Sequence, residues 1–257
     1  MRVFTCVGTL EAMMTCIYDA WEWALSHGHD QMRLQIEPVR QYTLFDTYVH
    51  VEADEEKAKS VIRSICTKIS VDAYVSVYYA TLYEQDVLDE IYRFLRYGFR
   101  HGSSVMYQLA EPVVMRMMQI QRAVGNEAHL LREFTRFDCI SDAVYVSHLE
   151  PKSDVIYLVA RYFADRMPSE AWMIIDDGRK TAAVHAPDEE IMLRELTDDE
   201  FDRLRYTEQG DDYQILWKTF FDRIAIQQRI NRECQRNHFP QWMRKHATEF
   251  REEYREA

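Results

Sequence analysis

At 257 residues, 47% hydrophobic and 13% aromatic, the chain is long enough to bury a sizeable core and is not a mainly disordered polypeptide. Its formal net charge of -12 means that any surface for a polyanion has to be local rather than compositional. Five scattered cysteines include no C-x2-C pair and no cysteine–histidine cluster, so they form no zinc or iron–sulfur motif and read as reduced, small hydrophobes.

Residues 2–7 predict a strand and Gly8-Thr9 a turn, with Thr9 as N-cap of a helix over 10–25 whose apolar residues recur at helical spacing. His27-Gly28-His29 follows as a loop. Residues 41–52 are rich in β-formers, and Asp54 opens another helix. Helices are then predicted over 71–83, 87–97, 103–109, 112–124 and 126–134, with Pro112 in a first turn and Gly98, Gly102 and Gly125 as breaks.

The texture changes near Arg136. Strands are expected at 137–139, 143–149, 172–176 and 181–185, with a helix at 155–164 and a hairpin turn at Asp176-Asp177-Gly178. Residues 186–212 hold eleven Asp/Glu against three Arg and read as a solvated acidic connector. The expected fold is α+β, mostly helical, with a small and largely antiparallel sheet that the N-terminal strand is free to complete. The expected division is 1–135, mainly helical with an N-terminal strand, and 136–257, a small sheet region followed by the acidic connector and a basic helical segment.

That last segment is the most informative. Between Arg223 and Lys245 stand five Arg and one Lys against one Glu, interleaved with aromatics. Three segments place bases at i, i+3 and i+7, one face of a helix: Arg93/Arg96/Arg100, His129/Arg132/Arg136 and Arg229/Arg232/Arg236. Arginine suits bidentate phosphate contact, and neighbouring rings such as Tyr97, Phe99, Phe239 and Trp242 suit stacking on unpaired bases. The plain alternative is a solvated helix face.

No G-x-S-x-G, Walker loop, G-x-G-x-x-G or H-E-x-x-H motif occurs, and no cofactor is implied. The most site-like stretch is 164–179, where Asp165 or Asp176 would activate water as tentative catalytic carboxylates while Arg166 or Arg179 held a phosphate. A helix-terminating loop and a plain hairpin explain the same residues. His185 and His246 are further acid–base candidates that nothing in the sequence orients.

Residues 4–20, 92–102, 124–137, 162–185, 217–240 and 244–250 together resemble a family of DNA-metabolism proteins typically encoded beside a radical S-adenosylmethionine protein, some relatives being fused to a uracil-DNA glycosylase-type domain. The chain departs from that family in having Cys6-Val7-Gly8 where an Asp-Gly turn is expected. The resemblance implies a DNA context and a radical S-adenosylmethionine partner. At its matching positions the polar residues are Arg132, Arg136, Asp165, Arg166, Arg179, Arg229, Asn231 and Gln235.

The expected function is a DNA-binding accessory protein in repair or modification. Arg229, Arg232 and Arg236 would neutralise phosphates, Asn231 and Gln235 would reach phosphate or a base edge, and Trp242 would stack. The alternatives are an enzyme acting on a nucleotide or DNA base, and a protein–protein adaptor. With no signal peptide and no stretch of 18 apolar residues, the expected location is cytoplasmic, without membrane contact.

Overall fold

Thr9 and Asp54 cap the first two long helices as their residue types demand. The Thr9 hydroxyl accepts from Ala12 N at 3.3 Å, and the Asp54 carboxylate accepts from Glu56 N and Lys57 N at 2.9 and 3.0 Å. A computed structural model describes residues 1–141, 144–205, 239–248 and 250. They divide into two units, Met1–Gly125 and Asn126–Ala257.

In the first unit, β1 (Arg2–Cys6) lies between β2 (Met32–Ile36) and β3 (Thr47–His50), and both pairings are parallel. Parallel neighbours need a crossover, and α1 (Leu10–His27) supplies it between β1 and β2. Around it stand α2 (Glu55–Lys68), α3 (Val71–Thr81), α4 (Leu88–His101) and the part of α5 (Pro112–Phe134) up to Gly125. Met13, Met14, Ile17, Ile65, Ile91, Phe94, Leu95, Met117 and Ile120 are all at or below 2% exposure and form the core.

Three expectations change here. The N-terminal strand does not complete the later sheet; it is the centre of its own. The β-rich stretch 41–52 yields only β3, because Tyr42, Leu44 and Phe45 are 70%, 88% and 86% exposed and have no buried face to pack. Gly98 and Gly125 do not break helices, since α4 and α5 run straight through them. Gly102 does end α4, with a φ of 62°.

The second unit carries a five-stranded sheet in the order β4 (Asp138–Ser141), β5 (Val144–Leu149), β6 (Ala171–Asp176), β7 (Thr181–His185) and β8 (Met192–Glu195). All its pairings are antiparallel except β5 with β6, which α6 (Ile156–Arg166) joins as a crossover. The fold is therefore α+β with helices in the majority, but with one parallel and one mixed sheet rather than a single largely antiparallel one.

The acidic connector is more structured than its charge suggests. It supplies β8 and α7 (Asp198–Arg205), and buries Leu196 and Phe201 against Val146, Ile175 and Ala182. Trp172 and Ile174 alternate with Met173 and Ile175 along β6, so both faces of that strand carry apolar side chains. The two faces are covered differently: Phe137 bridges Trp172 to Phe163 of α6, while α7 packs on the Ile175 side.

Candidate nucleic-acid interface

One stripe forms a shared surface in the first unit. α4 buries Ile91, Tyr92, Phe94, Leu95 and Gly98 and turns Arg93, Arg96 and Arg100 outward. All three line a cleft of about 520 Å³, together with His29 and the rings of Trp21, Tyr97 and Phe99. Trp21 is its structural centre, meeting His29 edge-on at 5.0 Å and Phe99 edge-on at 5.3 Å.

The electrostatics of this cleft are graded. Arg93 is held by Asp89 at 2.7 Å, one helical turn away, and Arg96 by Asp30 at 2.8 Å. Among the described residues Arg100 forms no ion pair and is exposed. The Arg96 hydrogen bond holds the Asp30 carboxyl below its usual range. Burial, and then the Arg96 charge, push the His29 imidazole down, so it stays neutral, with Nδ1 2.7 Å from the Tyr92 hydroxyl. Burial raises the Tyr92 phenol, which therefore remains protonated.

In the second unit, Arg132 and Arg166 approach the same ring, lying 5.8 and 5.6 Å from the Tyr162 centroid. Arg132 also donates to Leu158 O at 3.0 Å. Arg136 turns back on the chain, donating to Glu133 O at 3.0 Å and Thr135 O at 3.1 Å, while His129 faces Glu133 at 3.1 Å.

The two candidate carboxylates sit in different environments. Asp165 is exposed on the last turn of α6. Asp176 is fully buried: Oδ1 accepts from Gly178 N and Arg179 N, both at 3.0 Å, and Oδ2 accepts from Arg179 at 2.9 Å. Burial raises its carboxyl above the usual range, against the pull of those contacts. Arg179 also donates to Pro151 O at 3.0 Å and to Lys152 O, which fixes the hairpin. Arg179 and Trp242 line one cleft of about 620 Å³, where Lys152 Nζ lies 5.7 Å from the Trp242 ring centroid.

Some chemistry escaped the sequence reading. His148 and Asp177 stand at the carboxyl ends of the parallel pair β5 and β6, where open sheets commonly build sites, with His148 Nδ1 2.7 Å from Asp177 Oδ1. His148 is 6% exposed, and its Nε2 has no hydrogen-bond partner among the described residues. His246 Nε2 is likewise buried and unbonded, 3.8 Å from the Glu150 carboxylate that Lys245 holds at 2.7 Å. His185, by contrast, stacks on Trp172 at 4.8 Å and meets Glu170 O at 3.0 Å. Among the described residues no group of three His, Cys, Asp or Glu is placed to hold a metal ion.

A family model described as a domain of unknown function, DUF4130, matches residues 85–249. The chain belongs to this family. No curated protein and no solved structure matches it. The DUF4130 match includes α4 with its three arginines, and the whole stretch from β4 to residue 248. Trp21 and His29 lie before it. Arg229, Asn231, Arg232, Gln235 and Arg236 fall within the DUF4130 match but outside the described residues. No described helix is long and apolar enough to cross a membrane.

Proposed function

We propose that this protein binds nucleic acid, DNA in the first instance, as an accessory in repair or modification. One observation carries the reading: three arginines at one-face spacing border a single cleft whose other walls are aromatic apart from Val113. Guanidinium groups beside stacking rings are the combination that holds a sugar–phosphate strand while accommodating unpaired bases. The local placement also answers the charge problem, since a chain of net charge -12 is repelled by DNA on average and needs such a patch for contact. Partnership with a radical S-adenosylmethionine protein is supported by the family resemblance of the sequence, and a cytoplasmic setting fits that partnership.

An independent catalytic role has one observation in its favour, the buried His148–Asp177 pair, in which a carboxylate orients an imidazole. Asp176 serves that reading less well, because its oxygens are taken up by the hairpin.

The test is binding of labelled single- and double-stranded DNA across a salt series, with a variant carrying Arg93→Ala, Arg96→Ala and Arg100→Ala. Each lost phosphate contact should reduce the slope of log affinity against log salt by roughly 0.7–0.9. The variant should fold normally, since all three arginines are exposed and the half-buried Asp89 still accepts from Leu34 N. No binding of DNA by the intact protein at low salt would remove this reading and leave the adaptor role in the lead.

A further inference from the structure

A second cleft, of about 480 Å³, adjoins the arginine cleft, and Trp21 and Phe99 belong to the walls of both. The two have opposite chemistry. The arginine cleft gathers Arg93, Arg96, Arg100 and His29 and has no acid in its lining. The second has Ile17, Val61 and Leu25 as apolar wall, with Ser60, Ser64 and Lys68 at successive i, i+4 positions along α2. Its one acid is Glu22.

We infer that one nucleotide of a bound strand is seated across the Trp21–Phe99 pair, with its base in the second cleft and its phosphate against Arg96 and Arg100. This rests on the nucleic-acid reading and specifies how that surface is used. The direction of seating follows from charge: the second cleft sets one acid, Glu22, against one base, Lys68, whereas the other gathers three guanidinium groups, of which Arg100 is in no ion pair among the described residues. A volume of 480 Å³ falls within the range of small-molecule sites, about 300–1,000 Å³. The hydroxyls of Ser60 and Ser64 each donate or accept, so they meet a base edge without selecting one base strictly. Leu25, 76% exposed, gives the base an apolar surface to cover. The base so seated is unpaired, which makes single-stranded or locally opened DNA the substrate class.

The experiment compares deoxyadenosine 5′-monophosphate, deoxyadenosine and inorganic phosphate by isothermal titration. It also follows the fluorescence of 2-aminopurine within a single-stranded oligonucleotide. Two variants fill or spoil the base cleft, Ser64→Phe and the surface change Leu25→Glu. The second keeps the test valid should the first disturb packing. The expected result is that the monophosphate binds more tightly than either fragment, and that both variants weaken it about ten-fold and abolish 2-aminopurine quenching. Oligonucleotide binding should keep its salt slope in both variants, because the arginines are untouched. A monophosphate that binds no better than phosphate, or that ignores both variants while oligonucleotide binding remains arginine-dependent, overturns the seating and leaves DNA binding standing. Absence of oligonucleotide binding by the intact protein overturns both.

Discussion

Asp30 holds the Arg96 guanidinium at 2.8 Å at the edge of the arginine cleft, although its own side chain is 86% exposed. The carboxylate therefore competes with any phosphate for the same group. In Asp30→Asn the charge is removed and Arg96 is released, so DNA should bind more tightly at low salt. An exposed ion pair is a weak competitor, so the gain should be modest, up to roughly five-fold. Fluorescence anisotropy with single-stranded DNA checks it, with Asp154→Asn as a control for net charge. A gain equal to that of the control would show that Arg96 is not the beneficiary.

Gly98 fits where no other residue does without adjustment. A Cβ built there would sit 2.7 Å from Ile69 Cδ1, the end of a flexible side chain. Alanine would gain about 1 kcal/mol in helix propensity and lose about 1–3 kcal/mol to overpacking. Gly98→Ala alone should therefore be neutral to destabilising by about 2 kcal/mol. In an Ile69→Val background, which removes Cδ1, the same change should stabilise. Chemical denaturation of the four proteins of this cycle measures the coupling.

Much of the fold was legible because local signals coincided with burial. Thr9 and Asp54 mark helix starts by chemistry, the apolar periodicity of α1 marks its buried face, and the arginine spacing of α4 marks its outward one. The β2 strand was missed although Met32 and Leu34 alternate with exposed Arg33, because five residues give a weak period-two signal. The reverse error came at 41–46, where β-forming residues stay in water. Within the acidic connector, Thr197-Asp198-Asp199-Glu200 is a capping box: Thr197 N donates to Glu200 Oε2 at 3.0 Å, and Glu200 N donates to the Thr197 hydroxyl at 3.3 Å. The charge run concealed it. At the candidate sites, arginine spacing pointed to the α4 cleft, but Trp21 and His29 reach it through tertiary packing that no periodicity reveals. His148 and Asp177 meet only because β5 and β6 pair in parallel register, 29 residues apart in sequence.

Asp176→Asn separates a structural from a catalytic carboxylate. An Asn oxygen can still accept from Gly178 N and Arg179 N, but the buried ion pair with Arg179 is lost. The expected cost is about 1–3 kcal/mol of stability, with DNA affinity unchanged. Denaturation midpoints and binding isotherms on the same preparation decide it. Full stability combined with loss of a product-forming activity would instead make Asp176 catalytic.

His246 gives the second unit a defined acid sensitivity. Burial, chiefly, lowers its pKa from 6.5 to about 4; the Lys245 and His148 charges act in the same direction, and Asp177 and Glu150 oppose them. Above pH 6.5 the imidazole is neutral both folded and unfolded and contributes no pH dependence. Between pH 6.5 and about 4 the unfolded chain takes up a proton that the folded site refuses, so stability falls as pH falls. Fully developed, this linkage amounts to about 3 kcal/mol. Carboxylates elsewhere titrate in the lower part of the window, so the informative quantity is the difference from His246→Gln, which lacks the ionisable group. The variant should be the less stable protein near neutral pH, where it loses the native packing. That deficit should shrink or reverse as pH approaches about 4. Urea denaturation of both proteins across this window measures it. Parallel loss of stability in the two would mean that the folded site accepts the proton as readily as water does.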